Sequence, residues 1–152
     1  MTKDDFEGQV MELADTMYRV SSMLLRRPED RKDAMQSCLL RAWRNRRQLR
    51  QRERFKPWLM RILVNECHTL LRKSRKMVLM EVPQQGIDSP DFALRQTVEA
   101  LPLKLREAVA LHYMEGWPVA EVSKALGVPP GTVKSRLSRA RELLRDEWKE
   151  EE

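Results

Sequence analysis

The sequence is short of several things at once. Among its 152 residues are 2 Cys and 5 Gly, 6% of the chain is aromatic, and no window approaches 18 uninterrupted apolar residues. Two cysteines cannot build a disulfide scaffold. So little glycine excludes collagen-like and fibrous classes, and the lack of a long apolar run excludes a bilayer-spanning helix. The opening MTKDDFEGQ is acidic and polar, unlike the cationic start of a secretory leader. Cys38 and Cys67 fall inside helical patterns without a CxxC partner. They read as small buried side chains in a reducing compartment, not as a zinc site or a disulfide. No glycine-rich phosphate loop, GxSxG elbow or nucleophile–base pair is present.

What the chain does have is charge, 34% of its residues, and a net of +6 that is unevenly spread. Residues 1–76 carry 19 Lys/Arg against 10 Asp/Glu, residues 77–100 carry 1 against 4, and residues 101–152 carry 9 against 9. A surface polarised in this way favours a polyanion, and nucleic acid is the usual one. The densest run, Arg41 to Lys56, holds eight basic residues and the single acid Glu53.

Apolar residues recur at helical spacing and almost never alternate as in a strand. Phe6, Val10, Leu13, Met17, Val20 and Leu24 predict a helix that ends before Pro28, because proline disfavours helical geometry in the residue preceding it. Met35, Cys38, Leu39, Ala42 and Trp43 form one face of a second helix. A third is expected from Pro57, with Trp58, Leu59, Ile62, Leu63, Leu70 and Leu71 as its stripe. Three such helices make a small bundle. Residues 77–98, with two prolines, a glycine and polar neighbours, read as a flexible linker. Beyond it, a helix from Leu101-Pro102 to Glu115, a short helix over 119–126 and a long one from Pro130 to Trp148 are expected. The fold class is therefore all-α: two small helical domains, 1–76 and 99–152, joined by that linker.

The most informative stretch is VAEVSKALGVPPGTVKSRLSRAR, residues 119–141. A short helix, a glycine-containing turn and a basic second helix make a helix-turn-helix. Gly127 stands where the chain reverses, a place for left-handed backbone. Val122, Leu126, Val128, Val133 and Leu137 would fix the crossing of the two helices. Thr132, Ser135, Arg136 and Arg139 then share an outward face flanked by Lys134, Ser138 and Arg141, which suits a major groove. A basic amphipathic helix in an ordinary bundle is the plainer reading. In the first half, Asn65, His68, Arg72 and Lys76 form a polar stripe opposite Ile62, Leu63 and Leu70, flanked by Arg61, Lys73 and Arg75.

GTVKSRLSRARELLR resembles region 4 of bacterial RNA polymerase sigma factors, and LPLKLREAVALHYMEGWPVAEVSKALGV is similar to the helices that precede it. DAMQSCLLRAW and ERFKPWLMRILVNECHTLLRKSRK resemble region 2 of the extracytoplasmic-function (ECF) group. The resemblance covers residues 6–76 and 99–148, with both motifs in the family's order. It implies an alternative sigma factor that binds core polymerase and directs promoter recognition and melting. By resemblance, Asp33, Gln36, Leu40 and Trp43 contact the polymerase, with Trp43 equally placed to be core, and Ser37 stands where the family often has Glu. The −10 element falls to Arg61, Asn65, His68, Arg72, Lys73 and Lys76, since separated strands need stacking surfaces, hydrogen bonds and cations. The −35 duplex falls to Thr132, Lys134, Ser135, Arg136, Arg139 and Arg141. The implied partners are core polymerase, promoter DNA and an anti-sigma factor. The implied place is the cytoplasm, at the membrane where such a factor holds it there. No cofactor, metal or small-molecule substrate is expected.

Three rivals compete. A metal-dependent nuclease would need clustered ligands, and only Glu66-Cys67-His68 offers neighbouring ones, with none at helical spacing around them. A stand-alone helix-turn-helix regulator acting without sigma activity explains the second half equally well but leaves WLMRILVN and the arginine-rich run unexplained. An inhibitor of such a factor would not need two basic surfaces.

Overall fold

The computed structural model describes residues 1–75 and 90–150, and among these there is no strand. Helix α1 (Lys3–Leu24) opens on a capping box. The Asp5 N–H donates to Thr2 Oγ1 at 3.1 Å, and the Thr2 N–H donates to Asp5 Oδ2 at 3.3 Å. Its apolar stripe, Phe6, Leu13, Met17, Val20 and Leu24, is buried as the spacing requires. Pro28 does more than end α1. It occupies the first turn of α2 (Pro28–Arg44), where its fixed φ and missing N–H cost nothing. This helix buries Ala34, Cys38 and Ala42, small side chains that let it lie close on α3. Two short 3₁₀ turns, Arg46–Gln48 and Arg52–Arg54, carry the arginine-rich run to α3 (Phe55–Arg75). That helix begins two residues before the expected Pro57, which sits in its first turn.

Helix α3 is apolar over more than one face, burying Phe55, Leu59, Met60, Leu63, Val64 and Cys67. A helix buried this widely has neighbours on more than one side. It packs on α1 and α2, and also on the second half of the chain.

The expected linker over 77–98 is shorter than the sequence implied. Residues 77–89 lie outside the described residues, but α4 (Pro90–Glu99) is a helix packed on α1. Pro90 serves as its first residue, not as a breaker. Val98 is buried, Arg95 Nη2 donates to the Ser22 carbonyl of α1 at 3.0 Å, and Arg95 Nε donates to Glu99 at 2.9 Å.

After the buried Leu101, α5 (Leu103–Val109) runs into a wider π turn, Ala110–Met114, where the Glu115 N–H donates to the Ala110 carbonyl at 3.0 Å. Gly116, at φ 75°, ends it. Helix α6 (Val119–Leu126) stops at Gly127, whose φ of 67° is the left-handed turn expected there. The Gly127 N–H donates to the Ser123 carbonyl at 2.9 Å, and the Val128 N–H to the same oxygen at 3.2 Å. Helix α7 (Pro130–Glu150) then crosses α6 over buried Val122, Ala125, Val133, Leu137 and Ala140, with Leu126 and Val128 half-buried at the rim. The two halves do not stand apart: α3 packs on α6 and α1 on α5, so their buried side chains join in one core.

Candidate nucleic-acid interface

The helix-turn-helix projects α7 outward because Val133, Leu137 and Ala140 hold its inner face. Lys134, Ser135 and Arg139 are exposed, and Thr132 and Arg136 are half-buried on the same side. Ser135 Oγ donates back to the Gly131 carbonyl at 3.0 Å, and Arg139 pairs with Glu142 at 3.0 Å, a surface contact of little strength. Lys134 and Arg136 have no ion pair among the described residues, so their donors are open to a phosphate or a base edge. Arg141 differs: its Nη1 donates to the Tyr113 hydroxyl at 2.5 Å, which ties it back to the π turn. Tyr113, 48% exposed, had no sequence signal. Its relevance depends entirely on that turn bringing it to α7.

On α3 the polar stripe divides. Asn65, Arg72 and Lys73 face solvent, with Arg72 Nη2 donating to Thr69 Oγ1 at 3.3 Å. Lys76 lies outside the described residues. Arg61, also exposed, and the half-buried His68 in addition meet the second half. The Arg61 guanidinium lies against Gly127, where a Cβ would fall 2.9 Å from its Cζ. The His68 ring, through Nε2, contacts the Glu107 carboxylate of α5, a side chain only 4% exposed. Lys56 Nζ sits 4.4 Å from the centroid of the buried Trp117 ring.

The arginine-rich run is likewise partly used up internally. Arg41 pairs with Glu66 at 2.7 Å and Arg52 with Asp5 at 2.5 Å. Arg46 stacks 3.8 Å over the Trp43 ring and donates to the Trp43 carbonyl at 2.8 Å. Arg44, Arg47, Arg50 and Arg54 remain exposed. On α2, Asp33, Gln36 and Leu40 form one exposed face. Trp43 turns the other way, edge-on to Phe6 with centroids 5.2 Å apart, in a cluster with Phe55 and Trp58. Of the two roles open to Trp43 in the sequence, the core is the one this packing favours.

Glu66-Cys67-His68 gathers nothing that could hold a metal. Among the described residues no group of three such ligands exists, Glu66 is paired with Arg41, and His68 with Glu107. Cys67 is buried, and that burial pushes its thiol up to about 12, so no thiolate forms at neutral pH. The Cys38 thiol is raised further by the same cause.

Comparison with known proteins agrees in both halves. Residues 10–77 match the family model described as sigma-70 region 2, and residues 91–144 that of sigma-70, region 4. The chain is 32% identical to the ECF RNA polymerase sigma factor SigM of Mycobacterium tuberculosis, over 84% of this chain and 69% of that protein. It is also 32% identical to the RNA polymerase sigma-E factor of Streptomyces coelicolor, over 94% and 85%. Among solved structures, the sigma factor RpoE of Bartonella quintana, in complex with the anti-sigma factor NepR, superposes with a TM-score of 0.78 at 23% identity, over 95% of this chain and 97% of that one. CnrH, in complex with the cytosolic domain of CnrY, gives 0.76 at 21% identity, over 99% and 92%.

Proposed function

The chain belongs to the ECF group of RNA polymerase sigma factors, and from that premise we propose how its surfaces divide the work of promoter recognition. As an alternative sigma factor it binds core RNA polymerase and directs promoter recognition for transcription initiation. Its action is recognition and stabilisation without covalent chemistry, so it is not an enzyme. Asp33, Gln36 and Leu40 dock on the polymerase, an assignment supported by the one exposed face that brings an apolar side chain and two polar ones together on α2. The outer face of α7 reads the −35 duplex: Arg136 and Lys134, unpaired among the described residues, take a base edge and a phosphate, while Thr132, Ser135 and Arg139 flank them. Arg141 takes part once it leaves Tyr113.

Asn65, Arg72 and Lys73, with Arg61, His68 and Lys76, hold the separated −10 strand. Contacts to flipped bases and phosphates offset the cost of unstacking them. Residues 1–76 form the polymerase and −10 module, and 99–152 the −35 module. An anti-sigma partner is proposed because the structural relative RpoE is held by one. The place of action is the cytoplasm, in keeping with the lack of any described helix long and apolar enough to cross a membrane.

The observation that carries this reading is the exposed basic face of α7, projected from a helix-turn-helix that follows a second basic module in the family's order. Run-off transcription from a pool of promoter templates with purified core polymerase tests it. Transcripts should depend on the added chain and on a two-part promoter. Protection of a palindromic site without polymerase would instead favour the stand-alone regulator.

A further inference from the structure

One aromatic side chain outside the helix-turn-helix stands among its donors. On α7, Lys134, Ser138 and Arg141 recur at steps of four and three, so they form one exposed row beside the base-reading face. Tyr113 joins the end of that row, where Arg141 Nη1 donates to its hydroxyl at 2.5 Å. The π turn makes the meeting possible. Its bond from the Glu115 N–H to the Ala110 carbonyl closes over five residues instead of four, which takes Tyr113 out of α-helical register. The ring is also held in place. A carbonyl only accepts, so His112 Nδ1 donates to that of Trp117 at 2.7 Å. The imidazole fixed in this way lies edge-on to Tyr113, with centroids 4.9 Å apart.

The chemistry of the hydroxyl decides what it can do there. A guanidinium donates and never accepts, so Arg141 occupies a lone pair of the Tyr113 oxygen and does not use its proton. A phosphate oxygen accepts from both groups, and its charge makes it a stronger acceptor than a phenol. When a duplex arrives, Arg141 exchanges the hydroxyl for a phosphate. The hydroxyl it leaves is exposed, next to the same phosphate, with a proton to donate.

We propose that Tyr113 is itself a contact to the −35 duplex, donating its hydroxyl proton to a backbone phosphate at the end of the Lys134–Ser138–Arg141 row. This rests on the assignment of the outer face of α7 to that duplex. The contact fixes position and carries no sequence information, because a phosphate is the same at every step. It extends the duplex-binding surface from the helix-turn-helix to the turn that precedes it.

The test follows the anisotropy of a short fluorescent duplex of mixed sequence as the full chain is added, over a series of salt concentrations. Wild type is compared with Tyr113→Phe, Arg141→Ala and the double variant. Tyr113→Phe keeps the ring and its packing on His112 and removes only the hydroxyl. It should weaken binding about fivefold. The slope of log affinity against log salt should not change, because a phenol releases no counterion. Arg141→Ala should lower that slope by about 0.9. The fivefold loss on Tyr113→Phe should persist when Arg141 is already Ala. Unchanged or tighter binding by Tyr113→Phe overturns the proposal, the tighter result showing that Tyr113 only parks Arg141. A loss confined to chains that keep Arg141 overturns it as well, since Tyr113 then acts only by orienting the guanidinium. Lys134→Ala keeps the underlying assignment separate. If it leaves affinity and slope untouched, the −35 reading of α7 fails whatever Tyr113 does.

Discussion

Helices α3 and α7 are each 21 residues long, and each carries a stripe of polar and basic side chains opposite an apolar one. In sequence they look alike. In the structure α7 presents its stripe to solvent, whereas on α3 the exposed Arg61 and the half-buried His68 also touch the second half of the chain. The difference comes from the number of neighbours. Helix α7 is packed along its inner face, through Val133, Leu137 and Ala140. Helix α3 also buries Met60 and Val64 beside Leu59 and Leu63, and a second apolar face calls for a second partner. A basic stripe is therefore no guide to what its side chains touch. What lies beside it depends on the apolar residues next to it.

That contrast can be broken by substitution. The largest effect is expected from Leu63→Ala, fully buried in α3, which should cost about 2–5 kcal/mol in urea unfolding. With one joined core, both halves should lose stability in a single transition. A trailing half that melts separately and unchanged would show the two to be independent. Next, Arg136→Ala should weaken binding to a −35 duplex by about 1–3 kcal/mol and relax preference at one base pair. Lys134→Ala should instead weaken all sequences alike and lower the slope of log affinity against log salt by about 0.9. If Arg136→Ala bound cognate and shuffled duplexes in the wild-type ratio, base reading by Arg136 would be wrong.

Gly127→Ala sharpens the comparison at the point where the halves touch. At φ 67° a side chain costs about 1–2 kcal/mol, and here its Cβ also meets Arg61. In an Arg61→Ala background the cost should fall to that of the backbone alone, so the double-mutant cycle measures the contact. Additive losses would mean that the Arg61 guanidinium swings aside from the new Cβ at no cost.

The smallest effect lies at the far end of α1. Removing the cap with Thr2→Ala should cost about 1 kcal/mol. Asp5 also changes with pH: its hydrogen bonds with Thr2, and then Arg52, hold its carboxyl below the ordinary value of 3.8. A lowered folded value means stabilisation that is present above pH 3.8 and is lost as pH falls through the folded value. Thr2→Ala should therefore flatten the acid limb of the stability curve below that pH, with no change of slope near neutrality.

Where local chemistry decides, the residues could be read in advance. Helix α6, the left-handed Gly127 and the inward set Val122, Val133 and Leu137 follow from spacing of three and four with a turn between. Helix α4 was missed because Pro90 and Asp91 look like a loop, and its docking includes a bond to Ser22, 73 residues away from Arg95. Trp43 is equally plausible in sequence as a contact or as core, and only the Phe6 ring edge-on to it favours the core. Arg141 belongs to the basic face by number alone, and only the π turn brings Tyr113 to it.

By itself, then, the order of residues determined an all-helical chain, two basic modules and the faces on which their cations lie. Those properties depend on neighbours three or four positions apart. Tertiary structure alone decided which cations are available, because the groups that neutralise or cover them come from far along the chain: Glu115 is 96 residues from Arg19, and Glu107 is 39 from His68. No local period encodes contacts of that separation. They exist only once the apolar faces of α1 and α3 have found α5 and α6.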